Sequence, residues 1–304
     1  MQLLYFFVFV LWSYGKAFFD EIEKRIVYDK DFFAKATINN DYNFLLGEHY
    51  SSELYIIQNN DGLYLVKQND GDFNFELEKD FIITIMAEEC RKKLAIKNIR
   101  FCDVWYIPPS VPSVIKKNTT GAALVISFCD KCSFLDCQST LQLKTDLPYA
   151  KKALTDDQKG LTIRVLDTMK QDERFIFLVA LDTFFANFDR HNENILCFDN
   201  GMIVPIDQGG CYQINVLGLD IINSVQKLHN NNEYKEVLKK YYHYIDYFRA
   251  IFKEKEVIQC IKKMTEFYNS TQMQKRIPAV IMINNIRVHY FFIDCLLKNK
   301  NYIA

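Results

Sequence analysis

The segment Phe184–Gly210, FFANFDRHNENILCFDNGMIVPIDQGG, sets a cluster of acids, amides and one histidine between two apolar runs. The run that leads into it, ERFIFLVALDTFFANF, is apolar on nearly every side and belongs, as a helix, inside a domain. Asp189 and Asn194 follow five residues apart, and the β-like run MIVPI then ends at Asp207, which precedes Gln208, Gly209 and Gly210. Asn200-Gly201 is a hairpin signal, because both residue types tolerate positive φ. The chain is therefore expected to fold back on itself and carry Asp189, Asn194 and Asp207 to one point.

An acid, an amide and a second acid in this order suit phosphoryl transfer from ATP. One carboxylate orients the acceptor hydroxyl and takes its proton, while the amide oxygen and the other carboxylate hold Mg²⁺ against the phosphates. The protein-kinase pattern has the same spacing, with a DFG tripeptide where this chain has Asp207-Gln208-Gly209. Such a site also needs a strand lysine on the phosphates and an acidic helix residue to position it. GLYLVKQ supplies Lys67, and the following helical pattern offers Glu76, Glu78 and Glu88, of which Glu78, near the helix start, is preferred. Each element has a plainer reading: a solvated lysine, a polar loop, a turn at DQG, a histidine that caps it. Order, spacing and setting together favour the kinase reading.

Outward from this segment the chain changes character. SELYIIQNNDGLYLVKQ reads as a hairpin over residues 53–68, with weak strand character before it in KATIN. Apolar residues at helical spacing follow from about Phe75 to Ala95, then the strand-like runs IRFCDVWYIP and AALVISF. Residues 161–188 and three later stretches, NEYKEVLKKYYHYIDYFRAIF, KEVIQCIKKMTEFY and AVIMINNIRVHYFFIDCLLKN, read as helices. The expectation is an α+β fold with a β-rich lobe over residues 41–130, a helical lobe over 131–304, an extension over 1–40, and a ligand cleft between the lobes.

The 304 residues, 49% apolar and 25% charged, describe a folded chain. A formal net charge of −1 argues against protein-wide attraction to nucleic acid or anionic lipid. Nine cysteines, an odd number in mostly apolar surroundings, do not form a disulfide framework, so a reducing, cytoplasmic setting is the simpler reading. The run MQLLYFFVFVLWSYG at residues 1–15 is too short to span a bilayer. It leaves open a signal peptide without a basic n-region, in which case the chain is secretory and the sequons at Asn118 and Asn269 matter. A zinc site on Cys129, Cys132 and Cys137 lacks the second cysteine pair of a ribbon.

NFDRHNEN resembles the NxDxHxxN signature of HipA-like kinases through Asn187, Asp189, His191 and Asn194. DRHNENIL is also similar to a segment of phosphatidylinositol 3- and 4-kinases, and GEHYSSELYIIQNNDGLYLVKQ resembles the opening of the small HipA-related kinases. The likeness spans roughly residues 45–210. It implies a bilobal, protein-kinase-like fold that binds ATP and Mg²⁺ and takes protein Ser/Thr as its default acceptor. Within it, Lys67 contacts nucleotide phosphates, Asp189 is the base, Asn194 and Asp207 bind metal, and His191 supports the catalytic loop. Ser51 and Ser52 fall in the phosphate-covering loop, and adenine meets the backbone at Ser127, Phe128 and Cys129. The chain departs from the ordinary kinase pattern in its glycine-poor loop LGEHYSS, in Gln208 and in the lack of an APE motif. A lipid kinase is disfavoured by the absence of Lys or Arg in QGGCYQINVLGLD, while a secretory-pathway kinase and an inactive binding module remain alternatives.

Overall fold

A computed structural model describes residues 18–28, 33–39, 53–60, 62–68, 75–113, 115–117, 121–127, 158–187, 189–190, 194–198, 200–212, 232–267 and 276–298. Helix and sheet are mixed, and the chain divides into two units. The first holds Met1–Glu88, Phe101–Cys132 and Gln259–Val280; the second holds Glu89–Arg100, Ser133–Ile258 and Ile281–Ala304.

The first unit is built on an antiparallel sheet of β1 (Thr37–Ile38), β2 (Glu53–Asn59), β3 (Gly62–Gln68), β4 (Val104–Ile107) and β5 (Ala123–Ser127), in the order β1-β2-β3-β5-β4. The expected hairpin is β2–β3, in register from Glu53↔Gln68 to Asn59↔Gly62. Its turn closes where the Gly62 amide donates to Asn59 Oδ1 at 3.1 Å, with Gly62 at φ 149°, a conformation that glycine adopts without a Cβ clash. Between β3 and β4 runs helix α1 (Glu76–Lys93), with Glu76 and Glu78 in its first turn and Arg91, Lys92 and Lys93 in its last, each matching the helix dipole. β5 then inserts between β3 and β4.

Alternation along the strands gives this sheet two buried faces. Tyr55, Ile57, Val66, Ile107, Ala123 and Val125 share one face with Val27, Phe33 and Ile115. The opposite face carries Lys67, Leu124 and Tyr106 in one row across the strands, since Lys67 and Tyr106 both pair with Leu124. Helix α1 packs on that face, the Phe81 ring 5.6 Å from that of Tyr106. At roughly 1.5–3 kcal/mol for each buried aliphatic or aromatic side chain, both faces contribute to holding the sheet.

The second unit centres on α3 (Glu173–Phe185), preceded by α2 (Gln158–Gln171). As its composition requires, α3 is buried from Phe175 to Phe185, and Asp172 caps its start by accepting from the Arg174 amide at 2.9 Å. A short hairpin of β6 (Ile195–Cys197) and β7 (Ile203–Pro205) follows, then a 3₁₀ turn at Asn232–Tyr234 and helix α4 (Lys235–Ile251); α5 (Glu254–Glu266) passes into the first unit at Gln259, and α6 (Arg276–Lys298) belongs to the second from Ile281 on. Phe177 meets Tyr244 and Phe248 edge-on, and Phe184 meets Phe248 and Tyr290. Arg249 grips Asp294 with two nitrogens at 2.7 and 3.1 Å, tying α4 to α6.

Among the described residues one helix stretch, Ala279–Lys298, is long and apolar enough to cross a membrane by length and composition; Ile286, Tyr290, Ile293 and Leu296 on it are buried, while Val280, Ile281, Val288 and Phe291 are exposed. Cys90, Cys211 and Cys260 are buried and pack as small hydrophobes. The run of residues 1–15, both sequons and Cys129, Cys132 and Cys137 lie outside the described residues.

Candidate active site

Lys67 stands on the central strand β3, one residue from its end. Its Nζ donates to Asp80 Oδ2 at 3.0 Å, and Asp80 Oδ1 accepts from Thr84 Oγ1 at 3.3 Å, one helical turn further on. The lysine side chain is 15% exposed and that of Asp80 4%, so the pair is largely removed from water and each charge depends on the other. This corrects the expected partner: among the described residues it is Asp80, and not Glu78, that pairs with Lys67. Glu78, two residues earlier on α1, accepts from the Tyr106 hydroxyl at 2.6 Å. The two acids lie about 200° apart around the helix, so one reaches the β3 end of the row and the other its β4 end.

In the second unit the chain leaves α3 through a Schellman closure. The Asn187 amide reaches the Asp182 carbonyl at 2.8 Å and the Ala186 amide reaches that of Thr183 at 3.3 Å, with Ala186 left-handed at φ 51°. This reversal delivers Asn187, whose Oδ1 accepts from the Asp189 amide at 3.2 Å. Asp189 itself is partly exposed, and among the described residues nothing bonds to its carboxylate. Asn194 is buried and donates through Nδ2 to the Asp189 carbonyl at 2.9 Å, which closes the loop between them.

The Asn200-Gly201 turn returns the chain as the sequence indicates. Ile195 pairs with Pro205, and one step beyond that register the Ile206 amide donates to the Asn194 carbonyl at 3.0 Å. Asp207 is thus the residue that follows the bonded partner of Asn194. It sits at φ 56°, a region that an Asp tolerates when its side chain bonds the backbone ahead, and its Oδ1 accepts from the Gly209 amide at 3.4 Å. Gly210 leaves no room for a side chain: a Cβ there would stand 2.8 Å from Asp189 Cβ and 3.2 Å from Asn187 Oδ1. The Tyr212 amide then closes back onto the Phe185 carbonyl at 2.9 Å.

At the middle of these turns lies Arg190, 0% exposed, in a bidentate pair with Asp182 of α3, 2% exposed, both contacts at 3.1 Å. Burial opposes the charge on Arg190, yet Asp182 beside it holds the guanidinium above its ordinary value. Burial likewise pushes the Asp182 carboxyl up, and Arg190 works against it. Arg190 and Asp182 were not foreseen as site residues; the signal available was a lone acid in the apolar run LVALDTFF followed by a basic residue inside the polar loop.

The fit of Mg²⁺ can be tested on the donors. With its Nδ2 committed to Asp189, Asn194 has its amide oxygen left as a donor, and Asp207 adds a carboxylate; hard oxygen ligands of this kind suit Mg²⁺, which keeps several waters or phosphate oxygens of its own. Among the described residues no group of three His, Cys, Asp or Glu stands together, so a metal here would rest on this mixed pair. Ser127 ends β5, its amide on the Asp103 carbonyl at 2.8 Å and its hydroxyl accepting from the Asp103 amide at 3.0 Å. Ser51, Ser52, Phe128, Cys129 and His191 lie outside the described residues.

No family model matches the chain. No curated protein matches it either. Among solved structures it is similar to the Helicobacter pylori proinflammatory kinase CtkA, at 17% identity and a TM-score of 0.46, over 86% of this chain and 97% of that one. It is also similar to HipA of Shewanella oneidensis MR-1, solved with HipB and its operator DNA, at 11% identity and a TM-score of 0.42, over 83% of this chain and 67% of that one. HipA, whose family the sequence motifs resemble, is thus among the solved structures to which this chain is similar.

Proposed function

We propose that the chain is an ATP- and Mg²⁺-dependent kinase of HipA-like type that transfers the γ-phosphate to a protein Ser/Thr hydroxyl. The observation that carries the reading is the backbone bond from Ile206 to Asn194 together with the side-chain bond from Asn194 to Asp189, which gathers an acid, an amide and a second acid by way of two turns. Asp189 is the group that orients the acceptor hydroxyl and accepts its proton. Asn194 and Asp207 are the oxygen donors for Mg²⁺, which when bound offsets negative charge on the phosphate oxygens. Lys67, poised by Asp80, serves the nucleotide phosphates.

The test is γ-labelled ATP with purified protein and with a cell lysate, in Mg²⁺ and in EDTA. Asp189→Ala should lower transfer by about 10²–10⁴-fold, the range for removing a general base, while ATP binding persists. Asp207→Asn should instead lose Mg²⁺-dependent nucleotide affinity. ATP binding without transfer to any protein, by wild type, would identify an inactive binding module. Transfer to lipid alone would replace the proposed acceptor.

A further inference from the structure

A charge as fully buried as Arg190 is costly unless it is completely engaged, so its bonds are informative about what it is for. Beyond the pair with Asp182, its two terminal nitrogens reach three different parts of the loop system. One donates to the Asn194 carbonyl at 3.0 Å and the Ile206 carbonyl at 2.7 Å; the other donates to Gln208 Oε1 at 2.7 Å. Gln208 Oε1 also accepts from Asn187 Nδ2 at 3.2 Å, and Asn187 Oδ1 holds the Asp189 amide. A single planar guanidinium therefore touches α3, the residue assigned to metal at one end of the hairpin, and both neighbours of the residue assigned to metal at the other.

We infer that Arg190, oriented by Asp182 and completed by Gln208, is the positioning residue that fixes the Asp207 turn against Asp189 and Asn194. The inference rests on the kinase reading for its consequence, and it adds a specific meaning to Gln208. In the position where the ordinary kinase pattern has a packing Phe, this chain has an acceptor bonded to both Arg190 and Asn187. An apolar ring can leave its pocket without breaking a hydrogen bond. Gln208 cannot leave without breaking its bonds to a buried guanidinium nitrogen and to the Asn187 amide together, which favours a single arrangement of the Asp207 turn. Arg suits the role and Lys does not, because only the planar fork can face a carboxylate on one edge and three carbonyl-type acceptors on the others.

Three variants test this. Gln208→Leu is close in volume and keeps the Arg190–Asp182 pair. Arg190→Lys keeps the charge and loses the fork. The double variant Asp182→Leu with Arg190→Met removes both charges at once, an exchange that buried ion pairs commonly tolerate without unfolding. The expected result for Gln208→Leu is a rise of about tenfold or more in the Mg²⁺ concentration that half-saturates transfer, measured on the folded fraction, beside the lower thermal midpoint that losing the acceptor of two buried donors brings. The double variant should fold and yet lose about 100-fold or more in kcat, with the KM for ATP changing much less. A merely structural role would move the thermal midpoint and leave the Mg²⁺ dependence of the folded fraction alone. Amide hydrogen exchange gives a second readout that needs no activity: Gln208→Leu should speed exchange at Asp189, Asn194 and residues 206–212 together. Wild-type protein without any transfer would overturn the kinase reading, while linked exchange would still support the positioning. Active wild type with a folded double variant of normal kcat and Mg²⁺ dependence would overturn the positioning itself.

Discussion

At the scale of single residues, the site is defined by what cannot be added or taken away. Gly210 faces Asp189 Cβ and Asn187 Oδ1 too closely for any side chain, so Gly210→Ala must push the Asp189 turn outward. We expect that variant to lose at least about tenfold in phosphoryl transfer, since displacements near 1 Å at a reacting group are that costly, while its circular dichroism stays that of the wild type. Lys67 and Asp80 present the converse case, because removing one partner takes the ion pair from the other, which is nearly buried. Lys67→Ala leaves the Asp80 carboxylate with Thr84 as its remaining side-chain bond of those described above, and urea denaturation should show a loss of about 1–3 kcal/mol. Which acid would pair with Lys67 was not legible in the sequence. Glu78 and Asp80 both lie in the first turns of α1, and the face of the helix that meets β3 is set by packing against the sheet.

At the scale of elements, the informative features are the ends of α3. Its interior is apolar on all sides, which the sequence declares, but its C-terminal reversal depends on Ala186 holding a left-handed conformation, for which the sequence carries no glycine signal. A Cβ in that region costs about 1 kcal/mol, so Ala186→Gly should raise the unfolding free energy by roughly 0.5–1 kcal/mol, measurable as a shift of the urea midpoint at constant slope. The β6–β7 hairpin was readable in advance from Asn200-Gly201 and the apolar runs beside it. Its register was not: a two-residue turn centred on Asn200-Gly201 would set Leu196 opposite Pro205, whereas Ile195 pairs with Pro205 and Asp207 returns beside Asn194.

At the scale of the whole molecule, helix α6 couples the far end of the chain to the site. Asn285 donates to the Tyr212 carbonyl at 2.9 Å, and the His289 ring bonds the Thr183 carbonyl at 2.9 Å, beside Asp182. Burial pulls the His289 imidazole down from 6.5 to about 4, partly opposed by the carbonyls of Thr183 and Phe184. The folded protein therefore keeps this ring neutral where the unfolded chain would bind a proton. Stability from this group is present above about pH 6.5 and is lost as the pH falls towards 4, by at most roughly 3 kcal/mol. Denaturation midpoints measured from pH 7 to pH 4 should fall accordingly, and His289→Gln should flatten that dependence.

The sequence by itself determined the order of helices and strands, the two hairpins and the spacing of Asp189, Asn194 and Asp207. Those follow from local rules: alternation, helical period, and turn residues that tolerate positive φ. Tertiary structure alone decided that Asp80 meets Lys67, that Arg190 is buried on Asp182, and that Gln208 belongs to the same network. These contacts join residues from different elements, and a buried charge reveals its partner only when packing has removed the water that would otherwise serve it.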